Sequence, residues 1–134
     1  MVFTTLAHHM DEAFLTEALH QLRKDAAAGI DEMTVAEYHQ NLKENIADLH
    51  RRLVNRKYRA QPARRVWIPK SDGSQRPLAI LVLEDKIVQR AVAMLLEAIY
   101  EPYFHTFSHG FRRGHSAHGA LSYLRDQCLR LGIN

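Results

Sequence analysis

The spacing of apolar residues changes period twice along this chain, and that change fixes a mixed fold. Tyr38, Leu42, Ile46, Leu49 and Leu53 recur every three or four positions, the stripe of an amphipathic helix. Beyond residue 57 the helical stripe stops. Arg65-Val66-Trp67-Ile68-Pro69 is β-branched and aromatic, and an extended pattern resumes from Gln75 to Leu81. Between them Ser71-Asp72-Gly73-Ser74 carries an Asp-Gly pair, the chemistry of a tight turn. These segments predict one antiparallel hairpin with Asp72-Gly73 at its tip. Pro69 and Pro77 each lack a ladder donor, so its strands are short or at an edge. From Ile87 the helical spacing returns through Val88, Ala91, Val92, Leu95, Leu96 and Ile99. The fold class is therefore α+β, mostly helical, with a small hairpin.

About four helices are expected. The first covers roughly 11–27, with Phe14, Leu15, Ala18, Leu19 and Leu22 on one face, and Gly29 suits the left-handed position past its end. The second runs from Thr34 to about residue 55. Thr34 and Glu37 form a capping box, Met33 and Tyr38 are placed for a hydrophobic staple, and Arg51, Arg52 and Arg56 complement the C-terminal dipole. The third begins near Glu84 and Asp85 and ends at Pro102, and its wide apolar face makes it the central core helix. Ser116 caps the fourth, which carries Ala117, Ala120, Leu121, Leu124 and Cys128 on one face. With 134 residues, 46% of them hydrophobic, the chain is expected to form one domain, residues 1–134, and to bury roughly two-thirds of its unfolded surface.

Several classes drop out. The longest apolar runs, Leu78 to Leu83 and Ala91 to Leu96, are far short of the ~20 residues that span a bilayer, so no membrane is expected. No secretory leader is visible. The single cysteine, Cys128, excludes an internal disulfide, fits a reducing compartment and is expected in the core.

The net charge of +3 conceals a segregation. Residues 1–50 hold nine acids against three bases, a net −6, and residues 51–76 hold nine bases against Asp72 alone, a net +8. A block of that density suits a polyanion. Lys70 and Arg76 flank the hairpin tip and could converge on one phosphate, the lysine as a point charge and the arginine as a planar fork; the alternative is a solvated basic hairpin. Tyr58 and Trp67 interleave the block. An aromatic there could stack on a base, but large aromatics usually pack, so Trp67 is expected in the core.

Catalytic groups are not evident. His105 and His109, or His115 and His118, could face one ion if helical, but Ser108 and Gly110 argue for a loop, and no metal site is expected. Carboxylates such as Glu84-Asp85 are adjacent in sequence and point about 100° apart on a helix.

Several segments together resemble the N-terminal part of group II intron-type reverse transcriptases, the RNA-directed DNA polymerase and maturase family. They are Gly29-Ile30-Asp31-Glu32-Met33-Thr34, Tyr58-Arg59-Ala60-Gln61-Pro62, Val66 to Leu78, Leu83 to Val92, and His109-Gly110-Phe111-Arg112-Arg113-Gly114-His115-Ser116-Ala117-His118. Their order and spacing cover about residues 25–125. The resemblance implies the fingers subdomain of a right-hand polymerase with the start of the palm, in a bacterial cytoplasm. It implies that Lys70 and Arg76 contact the triphosphate of an incoming dNTP. It implies that Arg59, Arg64, Arg65, Arg112 and Arg113 line RNA or an RNA–DNA hybrid. The family's metal-binding aspartates lie in palm motifs beyond Asn134. No cofactor is therefore expected in this chain, Mg²⁺ belongs to a complete polymerase, and this chain alone is expected to be inactive. A palm region on a separate chain, or a second copy, is the expected cover for the apolar helix faces.

Overall fold

The structure is a computed structural model that describes residues 6–132. The elements run in the order α1 Glu12–His20, α2 Val35–Gln40, α3 Leu42–Val54, β1 Arg64–Pro69, β2 Gln75–Ile80, α4 Leu83–Tyr100 and α5 Ala117–Leu131, with single 3-10 turns at Ala7–His9 and Glu101–Tyr103. The described chain forms two compact units, one ending at Leu96 and one beginning at Glu97. No helix among the described residues is long and apolar enough to cross a membrane.

The mixed class and the hairpin form as expected, but there are five α-helices among the described residues rather than four. The extra one arises because the stripe from Tyr38 to Leu53 is broken at Asn41 (φ −122°, ψ 39°). In one continuous helix the Leu42 amide would reach the Tyr38 carbonyl. Here the Asn45 side-chain amide takes that carbonyl at 3.0 Å. The capping box holds: the Glu37 amide donates to the Thr34 hydroxyl at 3.2 Å and the Thr34 amide to the Glu37 carboxylate at 2.9 Å.

The first helix is shorter than its apolar spacing suggests. α1 is capped by Asp11, which accepts the Phe14 amide at 2.8 Å, and it stops at His20 rather than near residue 27. The segment beyond has other uses for its carbonyls: Lys86 Nζ donates to Ala27 O at 2.6 Å and an Arg64 guanidinium N–H to Ala28 O at 2.8 Å. Gly29 is not a left-handed cap. It sits hard against the chain before α4, where a Cβ would lie 2.6 Å from the Val82 backbone, so it is needed for close approach.

The core lies in the first unit. Leu15 and Leu19 of α1, Val35 and Tyr38 of α2, Ile46 and Leu49 of α3, and Leu83, Ile87 and Ala91 of α4 are all buried. The fully buried residues of α4 lie in its N-terminal half; Met94 packs against the core part-buried, while Val92 and Leu96 are exposed, because the apolar face outruns the helices that cover it.

In the second unit, Ser116 caps α5 by accepting the Gly119 amide at 3.1 Å, and Gly132 ends it at φ 61°. None of α5 is buried. Leu121, Leu124 and Leu131 stand exposed, and Cys128 is half-buried rather than in a core.

Candidate nucleic-acid interface

The hairpin register is Arg64↔Ile80, Arg65↔Ala79, Val66↔Leu78, Trp67↔Pro77, Ile68↔Arg76 and Pro69↔Gln75. Directly opposed residues share a face, and faces alternate along a strand. One face therefore carries Arg64, Val66 and Ile68 with Arg76, Leu78 and Ile80. The other carries Arg65, Trp67 and Pro69 with Gln75, Pro77 and Ala79. On β1 burial follows this alternation from Arg65 onward, Val66 and Ile68 being half-buried while Arg65, Trp67 and Pro69 are exposed; on β2 Ile80 is half-buried and Gln75 to Ala79 are exposed. Trp67, expected in the core, is 53% exposed. The register leaves it on the face that turns away from its half-buried neighbours.

The tip is a tight, well-bonded loop. The Lys70 carbonyl accepts the Gly73 amide at 3.1 Å and the Lys70 amide donates to Ser74 O at 2.7 Å. Gly73, at φ 80°, takes the left-handed position that completes a three-residue hairpin with a glycine bulge. Asp72 accepts from the Ser74 amide at 2.9 Å and the Ser74 hydroxyl at 2.6 Å. Those donors, the hydroxyl first, hold its carboxyl below the usual carboxylate range. Strand alternation carried one step past Pro69 puts Lys70 on the same face as Arg76. Both side chains are exposed, and neither has a hydrogen-bond or ion-pair partner among the described residues.

The other predicted cations divide into two groups. Arg65 and Arg113 are exposed and likewise without partners among the described residues. Arg64 is tethered to Ala28 O. Arg59 curls onto its own backbone, donating to Tyr58 O at 2.9 Å. Arg112 is drawn inward, its side chain 11% exposed. It donates to Glu101 Oε1 at 2.6 Å, to Ser108 O at 2.7 Å and to His105 O at 3.1 Å, and lies 5.0 Å from the Phe104 ring centre. It organises the loop from Glu101 to Arg112, and its donated hydrogen bonds hold the Glu101 carboxyl below the usual range.

What holds the basic block in place is a set of contacts distant in the sequence. Glu84 and Asp85 do more than favour a helix start. Arg52 Nη2 donates to both Glu84 carboxylate oxygens, at 2.7 and 2.8 Å, and Arg52 Nε donates to Asp48 at 2.7 Å. Asp85, the one buried charged residue among those described, accepts the Tyr58 hydroxyl and the Gln61 amide, the latter at 3.0 Å. Burial, followed by the hydrogen bond to Asp85, pushes the Tyr58 hydroxyl above its ordinary range. The available signal was a carboxylate set two positions from both Leu83 and Ile87, inside an apolar run.

The histidines do not pair as the spacings suggested. His109 meets His115 instead, Nδ1 to Nδ1 at 3.0 Å, one ring donating and the other accepting. Among the described residues no group of three or more His, Cys, Asp or Glu is placed to hold a metal ion.

No protein-family model matches the chain. It is 41% identical over 104 residues to Protein YkfC of Escherichia coli, covering 78% of this chain and 27% of that protein. It is 38% identical over 104 residues to the group II intron-encoded protein LtrA of Lactococcus lactis, covering 77% of this chain and 16% of the relative. An uncharacterized 91 kDa protein in the cob intron of Schizosaccharomyces pombe is 49% identical over 69 residues, 52% of this chain and 9% of its own length. The chain thus spans about a quarter or less of these curated relatives.

Proposed function

The chain is a homologue of the group II intron-encoded proteins, and from that premise we propose that it is a nucleic-acid-binding segment of the reverse transcriptase and maturase kind. In this reading the hairpin is a fingers-type element that takes phosphates. Lys70 and Arg76 receive the triphosphate of an incoming dNTP, and Arg65 with the rest of the 51–76 block and Arg113 lies along RNA or an RNA–DNA hybrid. Arg112 serves by shaping its loop. The observation that carries the reading is the pair Lys70 and Arg76: two cations on one hairpin face beside the tip, exposed, and without partners among the described residues. Such groups keep all their donors for a ligand.

The role proposed for these cations is phosphate binding; the carboxylates that hold two Mg²⁺ ions on the attacking and leaving oxygens in nucleotidyl transfer are a separate part of the chemistry, which Lys70, Arg76 and Arg65 do not supply. The setting is a reducing bacterial cytoplasm.

The test is an anisotropy titration of labelled RNA at several salt concentrations. Affinity is expected to fall linearly on logarithmic axes, with a slope of about −0.7 per phosphate neutralised on a single strand. An Arg65→Glu variant should bind more weakly, with a slope shallower by about 0.7. Unchanged affinity and slope in that variant overturn the proposal. Phosphorus NMR of a dNTP with Mg²⁺ tests the triphosphate role: K70A/R76A should abolish the shifts seen with the parent chain.

A second reading has its own observation. Leu121, Leu124, Leu129 and Leu131 of α5 are 59–75% exposed, more apolar surface than one isolated helix face usually leaves open. This favours a homo-oligomerising or partner-binding module. Light scattering that finds a strict monomer at high concentration counts against it.

A further inference from the structure

We propose that the second face of the hairpin is a base-stacking site, in which the Trp67 indole takes one unpaired nucleobase of a single-stranded nucleic acid and Arg65 takes its phosphate. This deepens the nucleic-acid reading above and rests on it, but concerns a different face from Lys70 and Arg76.

Three observations converge. First, the register sets Arg65, Trp67 and Pro69 on one face with Gln75, Pro77 and Ala79, and the β1 members of that face are exposed while Val66 and Ile68 are half-buried. Second, Trp67 is 53% exposed, although an indole is among the side chains that gain most from burial. Its cross-strand partner is Pro77, rigid and without an amide N–H, and the neighbour opposite Arg65 is only Ala79. A flat ring thus stands among small or rigid groups that do not shut it off. Third, the Arg65 side chain has no partner among the described residues and precedes Trp67 on that face at a two-residue step of about 6.6 Å, within reach of a phosphate attached to a base on the ring.

Charge selects the occupant. The face belongs to a segment with a net +8 over residues 51–76, complementary to a polyanion and unfavourable for a cationic peptide. A protein partner would want a broad apolar patch; this face offers one aromatic between an arginine and a glutamine. Stacking on an indole is sequence-tolerant, because every base has a π-face. The site is therefore expected to select unpaired over paired nucleic acid, and not one base over another.

Trp67 is the single tryptophan of the chain, so its emission reports on this site alone. The full chain is titrated at low salt with a short oligouridylate and with the matching abasic oligonucleotide, following both tryptophan emission and the anisotropy of a label on the oligonucleotide. Quenching by the oligouridylate and not by the abasic strand supports the site. The Trp67→Ala variant should bind oligouridylate roughly 5- to 150-fold more weakly, the range for losing one stacked base. It should bind the abasic strand as the parent does, which also shows that its fold is intact. Trp67→Phe should recover most of the loss. Binding of oligouridylate with emission unchanged, or equal quenching by the abasic strand, overturns the stacking site while leaving the nucleic-acid reading in place. Failure of both strands to bind overturns the two together. Self-association that shields Trp67 from acrylamide and blocks oligouridylate assigns this face to a second copy, and the proposal falls.

Discussion

Replacing Asp85 by alanine removes the acceptor that ties the residue 58–61 segment to the start of α4. Asp85 is 2% exposed and receives two hydrogen bonds, from the Tyr58 hydroxyl and the Gln61 amide. Bonds to a charged group contribute about 1.5–3 kcal/mol each, so the gross loss is about 3–6 kcal/mol. Two effects reduce it. The variant no longer buries a carboxylate, a cost of several kcal/mol, and Gln61 is exposed, so water replaces one acceptor. We expect a net destabilisation of about 2–3 kcal/mol, a large share of the 5–15 kcal/mol typical of a folded domain. Urea unfolding followed by circular dichroism measures it. With a slope of about 1–3 kcal/mol per molar, the midpoint should fall by roughly 1 M. Tyr58→Phe should cost about 1 kcal/mol, and the double variant should cost less than the sum of the two by about 1 kcal/mol, because the pair shares one bond. An Asp85→Ala variant within about 0.5 kcal/mol of the parent, or strict additivity with Tyr58→Phe, refutes the reasoning.

Other expectations are simpler. Gly29→Ala places a methyl 2.6 Å from the Val82 backbone and should destabilise by about 1–3 kcal/mol; calorimetry showing an unchanged melting temperature contradicts it. Thr34→Ala removes the capping box and should cost about 1 kcal/mol, seen as a lower urea midpoint. The Glu101 carboxyl is depressed by the hydrogen bonds from Arg112. Its contribution is thus complete above the ordinary glutamate range and is lost as pH falls through the depressed folded value. An NMR titration of Glu101 should show a normal carboxylate midpoint in Arg112→Gln, and no difference between variant and parent sinks that assignment.

Local chemistry made much of this fold readable in the sequence. The Thr34–Glu37 cap, the Asp72-Gly73 turn and the Ser116 cap depend on neighbours within a few positions, and each formed as its residues imply. What escaped depends on distant partners. Nothing near Asn41 announces a break; it requires the Asn45 side chain to take the Tyr38 carbonyl. The end of α1 was misplaced because the Leu22 amide turns back to Leu19 O at 3.0 Å and leaves the α ladder, and the segment beyond is held by Lys86 and Arg64 on the Ala27 and Ala28 carbonyls. Gly29 looked like a helix stop, yet its reason is the Val82 backbone pressed against it. At the candidate interface, the tight turn that Lys70 and Arg76 flank was legible because its Asp72-Gly73 chemistry is local. Trp67 was not, since which face of a strand is open depends on what packs beneath the other.

The contacts of Glu84, Asp85 and Lys86 close loops of 24, 27, 32 and 59 residues at one point on the chain. Closure on that scale has an entropic cost that local pairs do not share, so these tethers stand or fail as a set. One amide makes that visible. Gln61 lies outside every helix and strand and is exposed, and a backbone N–H of that kind normally trades its proton with solvent almost at once. Because its hydrogen ends on a buried carboxylate, its deuterium uptake should run at the pace of the core helices, making a single loop position the clock for how often the junction beneath the basic hairpin comes apart.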